Sequence, residues 1–437
     1  MNYRIALWSV IAALAGFLFG FDTVVISGAE QTIQALWHLD AVIHGIAIAS
    51  ALYGTVLGAL SGGFAADHLG RRKTLLLIGM LYFIGSIWSA LATDVYGFLI
   101  ARILGGVGIG LSTVAAPLYI SEISPPRYRG RLAGMFQFNI VLGILIAYLS
   151  NALLTGFGDS AWRWMLGVAA LPSLIYTVLT LLLPESPRWL IVQKSDVAGA
   201  RRVLALISPG ASEAEIIAEA QAIKSASVAR SHSTRFWTWK LRVPIMLAFL
   251  IAFFNQMSGI NAILYFAPRI FQLAGLGAKA ALLQSVGIGA TNLVFTFIGL
   301  WLIDRIGRRT LLYTGSFGYI GSLGLVSWSF LTSHYQFVPI CIFAFIAAHA
   351  IGQGAVIWVY ISEIFPNRQR AEGQAFGCGT HWAFAALITS FFPKLVADFA
   401  PGYVFLFFAV MMVLQLIWVK GMVVETKGVP LEQIIVR

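Results

Sequence analysis

Long apolar blocks separated by short polar breaks run along the whole chain, and each is about long enough, at ~20 residues, for a helix to cross a ~30 Å hydrocarbon core. They predict spans near 5–29, 44–67, 74–93, 95–120, 130–154 and 163–183, and a second six near 243–273, 280–303, 310–332, 336–362, 371–397 and 401–422. The first block lacks a strongly basic leader and a small-x-small cleavage site, and it carries an acid near its end. It therefore reads as a span and not as a removable signal.

Two polar signatures that follow apolar blocks recur at nearly one offset. Asp67-His68-Leu69-Gly70-Arg71-Arg72 returns 237 residues later as Asp304-Arg305-Ile306-Gly307-Arg308-Arg309, and Ile120-Ser121-Glu122-Ile123 returns 241 residues later as Ile361-Ser362-Glu363-Ile364. A chain made of two similar halves gives such a pattern, and internal repeats of this kind are common in transporters. The expected architecture is an all-α membrane protein with twelve transmembrane helices in two six-helix bundles related by a pseudo-two-fold axis. The bundles occupy 1–183 and 243–422, a helical linker occupies 184–242, and a tail follows from 423 to 437. Short amphipathic pieces at Val197 to Ile207 and Glu213 to Lys224, broken by Ser208-Pro209-Gly210, mark that linker as helical and non-catalytic.

Composition strengthens the membrane assignment: 59% of the 437 residues are hydrophobic, only 11% are charged, and mean hydropathy is +0.83. A net charge of +11 would suggest nucleic acid in a soluble protein, so the placement of the cations decides their meaning. Of the 29 Lys and Arg residues, 24 fall in the termini, the linker and alternate loops of one side. Arg163, Arg269, Lys279 and Lys394 are spread over the other side, and Arg102 lies inside a span. This asymmetry predicts cytoplasmic termini and linker and an even number of spans. The bilayer, and no nucleic acid, is then the surrounding partner, and a monomer is the expected working unit. Cys341 and Cys378 lie in apolar spans and read as small core residues. With no phosphate-binding Gly-Lys-Ser/Thr loop, metal-spaced His/Cys cluster or nucleophile elbow, no enzyme and no cofactor is expected. Any transport would then draw on a gradient and not on nucleotide hydrolysis, unless a separate subunit supplies the energy.

Candidate chemistry lies at membrane depth. Asp22 is the one acid well inside a span, and Arg102 the one base at comparable depth. An intramembrane ion costs at least ~2.5 kcal/mol, which invites the two to pair. Such a carboxylate stays ionised beside the arginine or takes a proton when the partner moves away, although a static structural pair is the alternative. Uncharged polar residues cluster as Gln137 and Asn139, then Asn255, Gln256, Ser258 and Asn261, then Asn292 and His381. Carboxamides donate and accept, as a polyhydroxylated ligand requires, and the indoles of Trp358 and Trp382 suit the C–H faces of a sugar ring. Interhelical bridging is the alternative role for any lone Asn or Gln. Gly105, Gly106, Gly108 and Gly110 read as a helix-packing face.

These motifs fall in an order that resembles the sugar porter family of the major facilitator superfamily over nearly the full length. The matching runs are Gly20 to Gly28, Asp67 to Arg72, Ser121 to Gly130, Pro184 to Trp189, Gln256 to Ala262, Asp304 to Arg309 and Glu425 to Gly428. The resemblance implies two bundles around one central site with alternating access. It implies a sugar site at Gln137, Gln256, Asn261, Asn292, Trp358 and Trp382, to which the residues themselves add Asn255 and His381. It also implies a cytoplasmic charge network, latching the halves in the outward-facing state, at Asp67, Arg71, Arg72, Glu122, Arg129, Glu185, Arg188, Asp304, Arg308, Arg309, Glu363 and Arg370. Asp22 stands where proton-coupled members carry an aspartate, which favours symport of a monosaccharide, a hexose being the expected cargo. A facilitative uniporter with a structural Asp22 is the alternative. The departures are Asn255-Gln256 in place of Gln-Gln, His381 in place of Asn or Gln, Val424 in place of a proline, and a tenth span whose Gly352 to Trp358 stretch has none of the usual prolines to kink it. A sugar receptor would need a longer cytoplasmic tail, and a drug or organic-anion carrier a more aromatic or charged site.

Overall fold

The computed structural model describes residues 3–125, 128–228, 236–366 and 369–428, without the side chains of 129–131, 133 and 226–228. All described elements are helical. Ten stretches are long and apolar enough to cross a bilayer, one of which, Gly134–Thr180, runs through two of the expected spans. The Arg308–Leu331 helix is not among the ten, because serines and glycines interrupt its apolar sequence.

Polar residues at the breaks start the helices as their chemistry requires. The Asp40 carboxylate accepts from the N–H groups of Val42 and Ile43 at 2.8 and 2.9 Å and opens Ala41–Leu69. Asp94 does the same for Tyr96 and Gly97, both at 2.9 Å, and opens Val95–Ile123. The repeated Gly-Arg-Arg is a structural repeat as well. Gly70 (φ 95°, ψ 160°) and Gly307 (φ 94°, ψ 164°) turn one long helix straight into the next, in a region that a side chain rarely enters.

Within the first half, Ala41–Leu69 lies along Val95–Ile123 at glycine-on-backbone distance. A Cβ on Gly58 would meet the Gly110 Cα at 2.9 Å, and one on Gly106 would strike the Ala51 backbone. Gly108 faces Ile78 and Tyr82 instead, and a Cβ on Gly105 would point into open space. Gly105 thus departs from the expected packing face, and its value lies in letting Gly85 approach, whose Cβ would reach the Gly105 Cα at 3.0 Å.

Three expected continuous spans are divided, the sixth into Ala161–Gly167 and Ala170–Thr180. The seventh runs as Arg242–Met257, Ile260–Tyr265 and Ala267–Leu273, with Gly259 at φ 81° between the first two. The tenth, which lacks the prolines, still divides into Val338–Ile351 and Gln353–Ile364 at Gly352 (φ −85°, ψ −104°). The segment between the halves forms Pro187–Lys194, Val197–Ile207 and Glu213–Val228, which share a small apolar cluster of Ile191, Ala200, Leu204 and Ala220.

The halves meet at the end away from the Gly-Arg-Arg turns. There Tyr53 Oη and Ser390 Oγ are 2.7 Å apart, Tyr148 Oη donates to the Leu264 carbonyl at 2.6 Å, and Gly45 sits against the Ser390 backbone.

Candidate functional site

Asp22 lies near the end of the Tyr3–Val25 helix and Arg102 two turns into Val95–Ile123, both nearly excluded from solvent. Arg102 Nη1 donates to Asp22 Oδ1 at 2.6 Å, and Nη2 lies 3.4 Å from the Asp22 carbonyl. The pairing expected from the sequence is therefore present. It is also incomplete: Asp22 Oδ2 and Arg102 Nε are buried with no hydrogen-bond partner. A buried carboxylate with one oxygen satisfied and one vacant has a defined place for a proton.

The second-half polar cluster assembles on the broken seventh span. Asn261 Nδ2 donates to Gln256 Oε1 at 2.7 Å, and Gln256 Nε2 donates to Asn255 Oδ1 at 2.9 Å while lying 3.2 Å from His381 Nε2. The Gly259 turn makes this possible, because it brings Asn261 back toward Gln256. Aromatic rings wall the cluster: Trp358 and His381 have centroids 4.8 Å apart, His381 and Trp382 4.6 Å, and Phe19 of the first half stands edge-on to Trp382 at 5.3 Å. The Trp382 Nε1 is buried and has no partner. Asn292 stands apart from this chain, with Thr296 Oγ1 3.4 Å from its Oδ1, and Gln137 is half-buried on the Arg129–Leu154 helix. Asn139 is turned back to the Met135 carbonyl at 2.8 Å. The structure thus joins Asn255, Gln256, Asn261, Trp358, His381 and Trp382 in one wall and leaves Gln137 and Asn292 outside its hydrogen bonds.

The charged motifs form two matching clusters, one in each half. Arg71 binds Glu122 with two bonds of 3.0 Å and Asp67 with one of 3.0 Å, while Glu185 accepts from the backbone N–H of Arg71 at 2.9 Å. Arg308 binds Glu363 at 2.8 and 3.1 Å and Asp304 at 3.1 Å, and Glu425 accepts from the Arg308 N–H at 2.9 Å. Arg72 and Arg309 each cap a helix end, donating to the carbonyls of Leu181 and Lys420. Burial pushes the Glu185 carboxyl up despite the N–H groups of Ser186, Arg72 and Arg71. Arg188 is exposed, Arg370 keeps Nε and Nη2 buried without partners, and the Arg129 side chain lies outside the described residues. Among the described residues no ion pair at this end crosses between the halves, so the expected latch is divided into two separate clusters.

Among the described residues an ion pair does cross at the opposite end, and the sequence reading does not include it. Glu30, fully buried, accepts from Arg269 Nε at 3.0 Å and Nη2 at 2.7 Å and contacts His44 Nε2 at 2.8 Å; Arg269 also binds Gln34 Oε1 at 2.6 Å. Burial would raise the Glu30 pKa, but the bonds from His44 and Arg269 outweigh it and hold the carboxyl below its usual value. The available signal was Arg269 itself, an arginine on the side poor in cations, with Glu30 opposite it in the other half.

The sequence model described as "Sugar (and other) transporter" matches residues 8–436. The chain belongs to this family, the sugar porters of the major facilitator superfamily. The sugar porter is 37% identical to the glucose transporter GlcP of Staphylococcus epidermidis, over 97% of this chain and 95% of that one. It is 36% identical to the arabinose-proton symporter of Bacillus subtilis, over 98% and 94%. Among solved structures it matches the partially occluded inward-open xylose transporter XylE of E. coli with a TM-score of 0.87 at 29% identity, over 98% of this chain and 99% of that chain. The same protein bound to 6-bromo-6-deoxy-D-glucose is matched with a TM-score of 0.81 at 30% identity, over 99% of each chain.

Proposed function

We propose that the chain takes up a monosaccharide, with a hexose preferred, in symport with a proton, by alternating access between two six-helix bundles of twelve spans. The spans are those expected from the sequence, with termini and linker in the cytoplasm of a bacterial inner membrane, no cofactor beyond the proton, and one chain as the working unit. The relatives named for glucose transport and arabinose-proton symport support the cargo class and the coupling. The amide wall of Asn255, Gln256 and Asn261 with Trp358, His381 and Trp382, together with Gln137 and Asn292, would bind the sugar. The crossing contacts at Glu30, Tyr53 and Tyr148, and the better match to the inward-open relative, support an inward-facing conformation. In the opposite state the two arginine clusters would be drawn together as the latch.

The single observation that carries proton coupling is the Asp22–Arg102 pair with its vacant Oδ2. A proton arriving from outside lands on Oδ2, neutralises Asp22, loosens Arg102 and favours the loaded state; a more alkaline interior reverses it. In proteoliposomes with an imposed inward proton gradient, the protein is expected to accumulate sugar, and Asp22→Asn to equilibrate sugar without accumulating it. Accumulation that persists in Asp22→Asn would overturn the coupling role, and equilibration alone in the unmodified protein would establish the uniporter in which Asp22 is structural.

A further inference from the structure

A continuous hydrogen-bonded chain leaves the sugar wall and crosses three further helices. Asn261 donates to Gln256 and Gln256 to Asn255, as described. Asn255 Nδ2 then lies 3.5 Å from Gln353 Oε1, Gln353 Nε2 donates to Gln415 Oε1 at 3.0 Å, and Gln415 Nε2 donates to Ser316 Oγ at 2.8 Å. The Ser316 hydroxyl in turn donates to the Leu312 carbonyl at 2.8 Å and closes the line. Every amide in it donates in one direction, away from the wall, and no member is more than 6% exposed. Such a chain polarises its members together, and reorienting one amide disturbs its neighbours.

Gln353 sits at the critical point of this line. It is the first residue of Gln353–Ile364, immediately after the Gly352 break, and the same short helix carries Trp358 onto His381. His381 in turn lies beside Gln256. Gly352 and Gly315 press together across the break, a Cβ on Gly352 meeting the Gly315 Cα at 2.8 Å, so backbone packing places the break while the Gln353 carboxamide ties it to the wall. The first position of a helix has no use for its own N–H within the helix, so a proline there would serve a break equally well. A buried glutamine bonded in both directions does something more.

We propose that Gln353 and Gln415 are positioning residues for the sugar site: they hold the Asn255 and Gln256 amides in the donating direction and transmit sugar occupancy to the hinge of the tenth span. This rests on the transporter reading above. A sugar hydroxyl bonding to Asn261 or Gln256 competes with the amide chain, loosens the Asn255–Gln353 contact, and frees the short helix carrying Trp358 to tilt about Gly352.

Gln353→Pro separates the two roles, because it keeps a helix start at the break and deletes the carboxamide; Gln415→Met deletes the far partner with similar volume and leaves the backbone untouched. In proteoliposomes, each is expected to raise the sugar KM on the order of tenfold, from the loss of buried hydrogen bonds. Each is also expected to alter the ranking of KM among epimeric hexoses, with folded yield in detergent retained. The double variant is expected to match the more affected single one, since both break one chain. Unchanged KM and epimer ranking in Gln415→Met would overturn the proposal, as would full additivity in the double variant. Failure of Gln353→Pro to fold would overturn the claim that the break needs no glutamine, and Gln415→Met would still decide the relay. Should the unmodified protein bind no monosaccharide by direct calorimetry, the transporter reading itself fails, which is a separate result.

Discussion

Asp22 and Arg102 illustrate how a residue can be legible from sequence alone. Each is the one ion of its sign at depth, and low dielectric brings such ions together. Removing one partner leaves a buried charge uncompensated, so Arg102→Leu is expected to cost about 3–5 kcal/mol of stability, and Asp22→Asn in the same chain to recover much of it. Thermal unfolding of the singles and the double in detergent checks this; equal losses in Arg102→Leu and the double variant would contradict it. Glu30 was far less legible, because an acid at a helix boundary looks like a solvated loop residue until the fold brings Arg269 and His44 against it. Its pKa is held below the usual 4.5, so its contribution to closing the halves is complete above that pH and is lost only as pH falls through the lowered folded value. The Tm difference between the unmodified protein and Glu30→Gln is therefore expected to be flat from pH 5 to 8, reflecting about 1.5–3 kcal/mol of charged hydrogen bonds, and to shrink in stronger acid. A difference that changes steadily between pH 6 and 8 would contradict this.

Among the elements, the duplicated Gly-Arg-Arg turn was the clearest feature of the sequence, and the structure explains it twice over. Gly70 and Gly307 hold nearly identical left-handed conformations, and a Cβ on either would strike the carboxylate of Glu185 or Glu425. Gly70→Ala is expected to destabilise by at least ~1–2 kcal/mol from backbone strain alone, read as a fall in Tm. An unchanged Tm would show the turn to be more adaptable than its φ implies. The broken seventh and tenth spans were not legible. A glycine in an apolar block signals packing as readily as a break, and the tenth block lacked the prolines that would have distinguished them. Gln353 and Gln415 are illegible for the same reason: each is a lone amide in an apolar run, and only the fold shows that they touch.

At the scale of the whole molecule, the repeat supplies a frame in which each half carries its own arginine cluster, while the functional pieces are unshared. Asp22 and Arg102 belong to the first half and the amide wall to the second, with Phe19 and Trp382 in contact between them. The latch expected from the charged motifs would bridge the halves at the basic end, whereas the bridging ion pair observed lies at the other end, between Glu30 and Arg269. Sequence motifs describe what both states share, and a single conformation displays the contacts of one state only. The central claim is that sugar and proton move together through Asp22. Its most direct test is the external pH of weakly buffered proteoliposomes during sugar addition without an imposed gradient. Sugar entry should make the outside more alkaline in the unmodified protein and leave it unchanged in Asp22→Asn, whereas sugar entry without alkalinisation in the unmodified protein would contradict the account.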